Sequence, residues 1–237
     1  MIAFFSLAII QLFDKSLQKT LWIGIVGSAV IFLIIWLAVG HTLSQIGLFS
    51  PGWFFGVFDW VFVKITDIFG GAIIFIVTWF LFPSVVTLII TFFLENVIQA
   101  VEKKHYPYLQ ETRPQGITEI GIITLKFTLL SIILNILVLP FYIGFFFLGP
   151  LNLLIFYALN GYLLGREYFE LVAYRRLEPD KAGVLYRSFQ VQVFIAGVIS
   201  AFIMTIPIVN MVGPIILAAT MVHLIQRCKN RKNAADA

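Results

Sequence analysis

Charge is scarce in this chain: 12% of its 237 residues are Asp, Glu, Lys or Arg, where soluble domains carry about 25%. Cys228 is the single cysteine, so no disulfide within the chain is possible. His41, His105 and His223 are far apart and lack metal-ligand spacing, so no metal is expected. No phosphate-binding loop, Ser/His/Asp set or pair of catalytic carboxylates is present. An enzyme is therefore not expected, nor a cofactor, nor drive by ATP. Acids inside the apolar runs are few, which weakens a proton-coupled pump. The formal net charge of +4 is small and gives no reason to expect nucleic acid.

What the chain has is apolar sequence, 60% of all residues, in four blocks. Leu21 to Val39 is an uncharged run of roughly 19 residues, enough for one helix through a ~30 Å hydrocarbon core. Ile68 to Leu94 is a second, about 27 residues long, with Pro83 expected to kink it. Phe127 to Gly165 and Ser188 to Gln226 are each about twice one span and free of charged residues apart from His223.

Paired prolines break each long block near its middle: Pro140 and Pro150 in the third, Pro207 and Pro214 in the fourth. Each block therefore reads as helix, turn, helix. Arms of roughly 13–20 residues follow, short for a full crossing, and the arm after Pro214 has only about 12 apolar or neutral residues before Arg227, ~18 Å at 1.5 Å per residue. Re-entrant hairpins, or short transmembrane ones, are expected, with tips covered by protein or water. The likeness of the two blocks suggests a weak internal repeat. Asn152 and Asn210 stand beside the prolines, where they can satisfy backbone freed by the turns.

If each long block returns to its starting side, fifteen of the sixteen Lys and Arg residues share one face and Lys64 alone lies opposite. By the positive-inside rule that face is cytoplasmic, with both termini. The aromatic Gly40–Phe69 loop is then external, lying on the membrane surface. The first residues, MIAFFSLAIIQL, are too short to span and suit an interfacial helix. The expected class is an all-α integral membrane protein with one membrane domain over 1–237. Its parts are an interfacial helix at 1–18, transmembrane helices at 19–40 and 68–105, hairpins at 117–176 and 183–227, and a disordered cytoplasmic tail at 228–237.

Arg166, Glu167 and Glu170 follow Asn160 and Gly165 on one helix leaving the membrane. Arg166 and Glu170 are four apart and can pair, which is worth about 0.3–0.5 kcal/mol when exposed. Glu95 reads as a marker of the membrane boundary. Gly24 and Gly27, and Gly70 and Gly71, suit close helix packing.

The stretch LNGYLLGREYFELVAYRRLEPDKAG, the run IPIVNMVGPIILAATMVHLIQR, Leu81-Phe82-Pro83 and ENVIQAVEKKHYP together resemble the CysZ/etoposide-induced protein family, from about Phe4 to Arg227. The resemblance implies an inner-membrane permease or channel of bacteria for a small inorganic oxyanion, sulfate above all, supplying cysteine synthesis. It would be embedded in lipid and, because two spans and two hairpins enclose little volume, homo-oligomeric. The alternative is a non-transporting scaffold or assembly factor acting through its cytoplasmic connectors. In CysZ-like permeases the turn before the first span carries a Gly-apolar-Arg-Arg motif that holds the oxyanion. Here Ser16, Leu17, Gln18 and Lys19 stand in its place. Free amides at a helix start with a nearby cation still make an anion site, with Ser16 as the expected cap, but the bidentate arginine geometry is gone. The competing reading is that Lys15 and Lys19 anchor the span at the headgroups.

Overall fold

The computed structural model describes residues 2–46, 78–79, 81–109, 112–145 and 147–236. Most of the expected external loop, and Gly70 and Gly71, lie outside them. All regular structure among the described residues is helical: α1 (Ile2–Gln11), α2 (Lys15–Ile46), α3 (Leu81–Phe92), α4 (Leu94–His105), α5 (Ile117–Gly144), α6 (Gly149–Ala173), α7 (Pro179–Met204), α8 (Pro207–Asn210) and α9 (Gly213–Asp236). Three helices are long and apolar enough to cross a membrane, or four if the bent pair α3–α4 is one span. The chain is an all-α membrane protein.

α2 runs six residues past Gly40, to Ile46, because no proline occurs before Pro51 to stop it. Pro83 has helical residues on both sides, at 78–79 and through the rest of α3, and a sharp bend lies ten residues beyond it. The chain turns by 60° between α3 and α4, at Phe93. Two hydroxyls precede the bend: Thr87 donates to the Pro83 carbonyl and Thr91 to the Thr87 carbonyl, both at 2.9 Å. Such back-bonding competes with the helix ladder and bends helices.

The helices of the two proline-tipped blocks are longer than their apolar runs. α5 has 28 residues and α6 has 25, lengths of about 42 and 38 Å. They exceed the expected arms because they continue through polar residues such as Glu119 and Lys126 in α5 and Arg166 to Glu170 in α6. Three of the prolines stand where helices tolerate them: Pro150 opens α6, Pro207 opens α8 and Pro214 is the second residue of α9; Pro140 instead lies inside α5, which continues past it to Gly144.

α9 is the centre of the bundle. From Gly213 to Gln226 every residue is buried, the pattern of a helix enclosed on all sides. α1, α4, α6 and α7 pack around it. α4 shows how one face is chosen: Leu94, Val97, Ile98, Val101 and Glu102 are its buried residues, spaced three and four apart. No residue of α5 is buried. Its apolar surface suits lipid.

The most extensive helix pair is α6 with α7, which adjoin through the short turn at residues 174–178. The contact rests on small residues. A Cβ on Gly161 would lie 2.8 Å from the Val198 backbone, and one on Gly165 would lie 2.6 Å from the Val193 carbonyl oxygen. Gly24 plays the same part on α2, where a Cβ would lie 2.7 Å from the Ile90 side chain. Without water, helices associate through such close backbone approach.

Candidate anion site and the charged end of the bundle

α1 ends in tight turns, with Leu12, Phe13 and Asp14 donating to the carbonyls of Ile9, Ile10 and Gln11. α2 then starts at Lys15. The Asp14 carbonyl accepts the Gln18 amide at 2.9 Å, which places Asp14 at the cap position. Ser16 is therefore one residue inside the helix and does not cap it. The amides of Lys15, Ser16 and Leu17 are the first-turn groups that intrahelical bonding leaves over. Ser16 and Lys19 are exposed, Gln18 is half-buried and Leu17 is buried.

Asp14 changes the electrostatics of this turn. A carboxylate at a helix cap occupies the position that the dipole makes attractive to an anion. Its Oδ1 also accepts from Lys104 Nζ at 2.6 Å. Sequence reading missed Asp14 because the family's pattern begins two residues later.

Near this turn the basic segments of the chain touch one another. The Gln11 side-chain nitrogen donates to His105 Nε2 at 2.9 Å and to His223 Nε2 at 2.8 Å. With Nε2 accepting, His223 donates from Nδ1 to the Tyr106 hydroxyl at 2.7 Å. The Arg227 guanidinium lies 5.4 Å from the Phe4 ring centre. The N-terminal helix is thereby fastened to the ends of α4 and α9, and two histidines distant in sequence become neighbours. No short-range pattern announces this.

On its other side the end of α4 meets the α6–α7 turn. Arg176 grips Glu102 with Nε on Oε1 and Nη2 on Oε2, both at 2.9 Å. Arg175 Nη1 donates to Glu95 Oε1 at 2.7 Å. Glu102 is 4% exposed and Arg175 7%, so these charges are largely withdrawn from water and need each other. The Arg113 amide donates to the Arg175 carbonyl at 2.8 Å, and the Arg113 side chain pairs with Glu119. The Gln115 amide nitrogen donates to the Tyr174 carbonyl at 2.7 Å. The sequence did hold a signal for this cluster. Glu102 falls in register with the apolar stripe of α4, and a carboxylate on a buried face requires a partner.

The residues of the connector motif do not converge. Arg166 Nε donates to Glu170 Oε1 at 2.8 Å and Nη1 to the Tyr162 hydroxyl at 3.1 Å. Its guanidinium stands 6.0 Å from the Tyr186 ring centre, joining α6 to α7. Glu167 faces the gap towards α5 with Gln115 and Thr124. Asn160 donates to its own helix, at the Phe156 carbonyl, 2.9 Å away.

At the tips, Asn152 Nδ2 reaches back to the Tyr142 carbonyl at 3.3 Å. The Asn210 carbonyl accepts from Thr87 Oγ1 at 3.4 Å, tying that tip to α3. These groups satisfy turn backbone. The tips and the Ser16–Lys19 turn are separate places, not one site.

The family model described as sulfate transporter CysZ/Etoposide-induced protein 2.4 matches residues 4–214. The chain belongs to this family. No curated protein and no solved structure matches it.

Proposed function

We propose that the protein is a permease or channel for a small oxyanion, sulfate in the first place, in the inner membrane of a bacterium, where it supplies cysteine synthesis. The family match over residues 4–214 carries this reading. The bundle is compatible with it in two respects. Helices long enough to cross a membrane are present, of which α7 packs against the buried α9 together with α4 of the bent pair, and cationic side chains gather at one end, at Lys103, Lys104, Arg175 and Arg176.

The basic segments that touch one another at this end support a cytoplasmic position for both termini. In that arrangement the two proline-tipped blocks enter the membrane from the cytoplasmic side and return to it. The unburied face of α5 is then available to lipid or to a second copy of the chain, as expected of a homo-oligomer.

Uptake of labelled sulfate into proteoliposomes containing the purified protein is the test. Uptake above that of protein-free vesicles, competed by unlabelled sulfate, is the expected result. Its absence in correctly inserted protein would favour the alternative, a scaffold acting through its connectors. Reporter fusions should place the C-terminus and the Gly40–Phe69 loop on opposite sides of the membrane.

A further inference from the structure

The charged residues of α5 and α6 are Glu119, Lys126, Arg166, Glu167 and Glu170. Three of them are spent within the protein: Glu119 pairs with Arg113, and Arg166 pairs with Glu170. Lys126 and Glu167 are exposed and have no ion-pair or hydrogen-bond partner among the described residues. The two stand at one depth. Lys126 is eighteen residues before the end of α5 at Gly144, and Glu167 is eighteen residues after the start of α6 at Gly149. At 1.5 Å per residue each lies ~27 Å along its helix from the hairpin tip, close to the ~30 Å thickness of the hydrocarbon core. With the tip near one membrane face, both charges reach the headgroup layer of the other.

A cavity of about 270 Å³ opens beside them, between the α3–α4 bend, α5 and α6. Glu167 and Glu170 are the charged residues of its wall, with no cation among the described residues that line it. Glu170 is held by Arg166, and Glu95, next to Leu94 of the wall, is held by Arg175. Tyr168 also lines the cavity; it is 6% exposed, and its hydroxyl has no hydrogen-bond partner among the described residues. Thr91 spends its hydrogen on the Thr87 carbonyl, and Gln115 spends its amide nitrogen on the Tyr174 carbonyl. Each keeps an oxygen that can accept. The cavity therefore offers acceptors and a carboxylate without a counterion. A primary ammonium has three hydrogens for such acceptors, whereas a quaternary ammonium has none.

Lys126 adjoins Phe127 of the cavity wall, and its long stem lets the ammonium stay at the headgroups beside an apolar helix. Towards the tip α5 exposes Leu129, Ile133, Ile136 and Leu137, a surface for acyl chains. We propose that this groove holds one phospholipid with a primary-amine headgroup, of the phosphatidylethanolamine type. Glu167 takes the ammonium, Lys126 takes the phosphate, and the acyl chains lie along α5. The occupant is a zwitterion because the two unpartnered charges at this depth are of opposite sign and do not meet each other. A headgroup with phosphate alone would leave Glu167 without a cation.

The test uses the full chain in detergent, with native mass spectrometry following the retention of phosphatidylethanolamine, phosphatidylcholine and phosphatidylglycerol. The wild type should retain phosphatidylethanolamine over either of the others by roughly fivefold or more. Glu167→Gln should bring phosphatidylethanolamine down to the level of phosphatidylcholine. Lys126→Gln should lower the retention of all three, because each carries the phosphate. Both positions are exposed, so helicity and melting temperature in lipid-free detergent should stay as in the wild type. Lys181→Gln, at an exposed residue of α7 outside the groove, should change nothing. Equal retention of the three lipids by the wild type would overturn the proposal, as would an undiminished preference for phosphatidylethanolamine in Glu167→Gln. A heat on titrating sodium chloride that is absent with choline chloride and lost in Glu167→Gln would assign the cavity to an inorganic cation, and would overturn it too. Retention is read without flux, so these outcomes are independent of sulfate uptake.

Discussion

Gly197 of α7 faces Gly161 of α6 so closely that a Cβ on Gly197 would lie 1.8 Å from the Gly161 carbonyl oxygen. No rotamer change can make room, because the obstacle is backbone. Gly197→Ala must push α6 and α7 apart, and overpacking of this kind costs about 1–3 kcal/mol or more. A lowered melting temperature in detergent is expected. Gly183→Ala, on the same helix with no atom within 4 Å of the added carbon, should be neutral or stabilising by up to ~1 kcal/mol. Equal effects of the two would show that the crossing tolerates separation.

That crossing also marks where the sequence was legible and where it was not. Gly161 and Gly165 stand four apart, the spacing that brings membrane helices together, a signal as plain as the Gly24/Gly27 and Gly70/Gly71 pairs. Gly24 does pack closely, against Ile90. The helical membrane class and the helix starts at Pro150, Pro207 and Pro214 were readable because they depend on run length and on local backbone chemistry. Helix ends were less so: α2 runs on where no breaker stops it, α5 runs on through Pro140 to Gly144, and the bend at Phe93 has only threonine back-bonds to foretell it. Asp14 as the cap of α2 could have been read from its place before the helix. The meeting of Gln11, His105 and His223 could not, since it depends on three helices docking across the whole chain.

Glu102 and Arg176 form the tightest buried ion pair in the described residues between elements distant in sequence, with side chains 5% and 14% exposed. Glu102→Ala leaves Arg176 without its bidentate partner in a setting poor in water. Losing one member of a buried pair costs about 3–5 kcal/mol. The Glu102→Leu, Arg176→Met double variant should recover part of this, because the two charges of the pair are removed together. Thermal melting of both variants is the measurement. A double variant less stable than Glu102→Ala would mean that the pair itself stabilises the α4–α6 contact.

Cys228 is buried on α9, 3% exposed, and burial pushes its thiol up to about 11. Only a small fraction is thiolate at neutral pH, and the thiolate is the reactive form. In native protein a maleimide should label it far more slowly than an unfolded control, and raising the pH towards 9 should speed labelling while the fold persists. Rapid labelling at pH 7 would place the end of α9 away from the bundle. The slow thiol makes Cys228 a usable reporter of opening at this end.

At the α2 start, Asp14 and a bound oxyanion compete for the same positive dipole end. Removing the carboxylate by Asp14→Asn keeps a capping side chain and frees Lys104. The lost Lys104 pair is partly exposed, with side chains 55% and 28% accessible, and costs little. Oxyanion binding at this turn should therefore tighten about two- to fivefold, the equivalent of roughly 0.3–1 kcal/mol. Lys19→Glu should abolish it, because the one full positive charge of the Ser16–Lys19 turn is reversed. Lys19→Arg should preserve or improve it through a fork that fits two oxygens. Sulfate calorimetry on the full chain in detergent is the measurement. Affinity that ignores both Asp14→Asn and Lys19→Glu would show that Lys15 and Lys19 serve only to anchor the span at the headgroups.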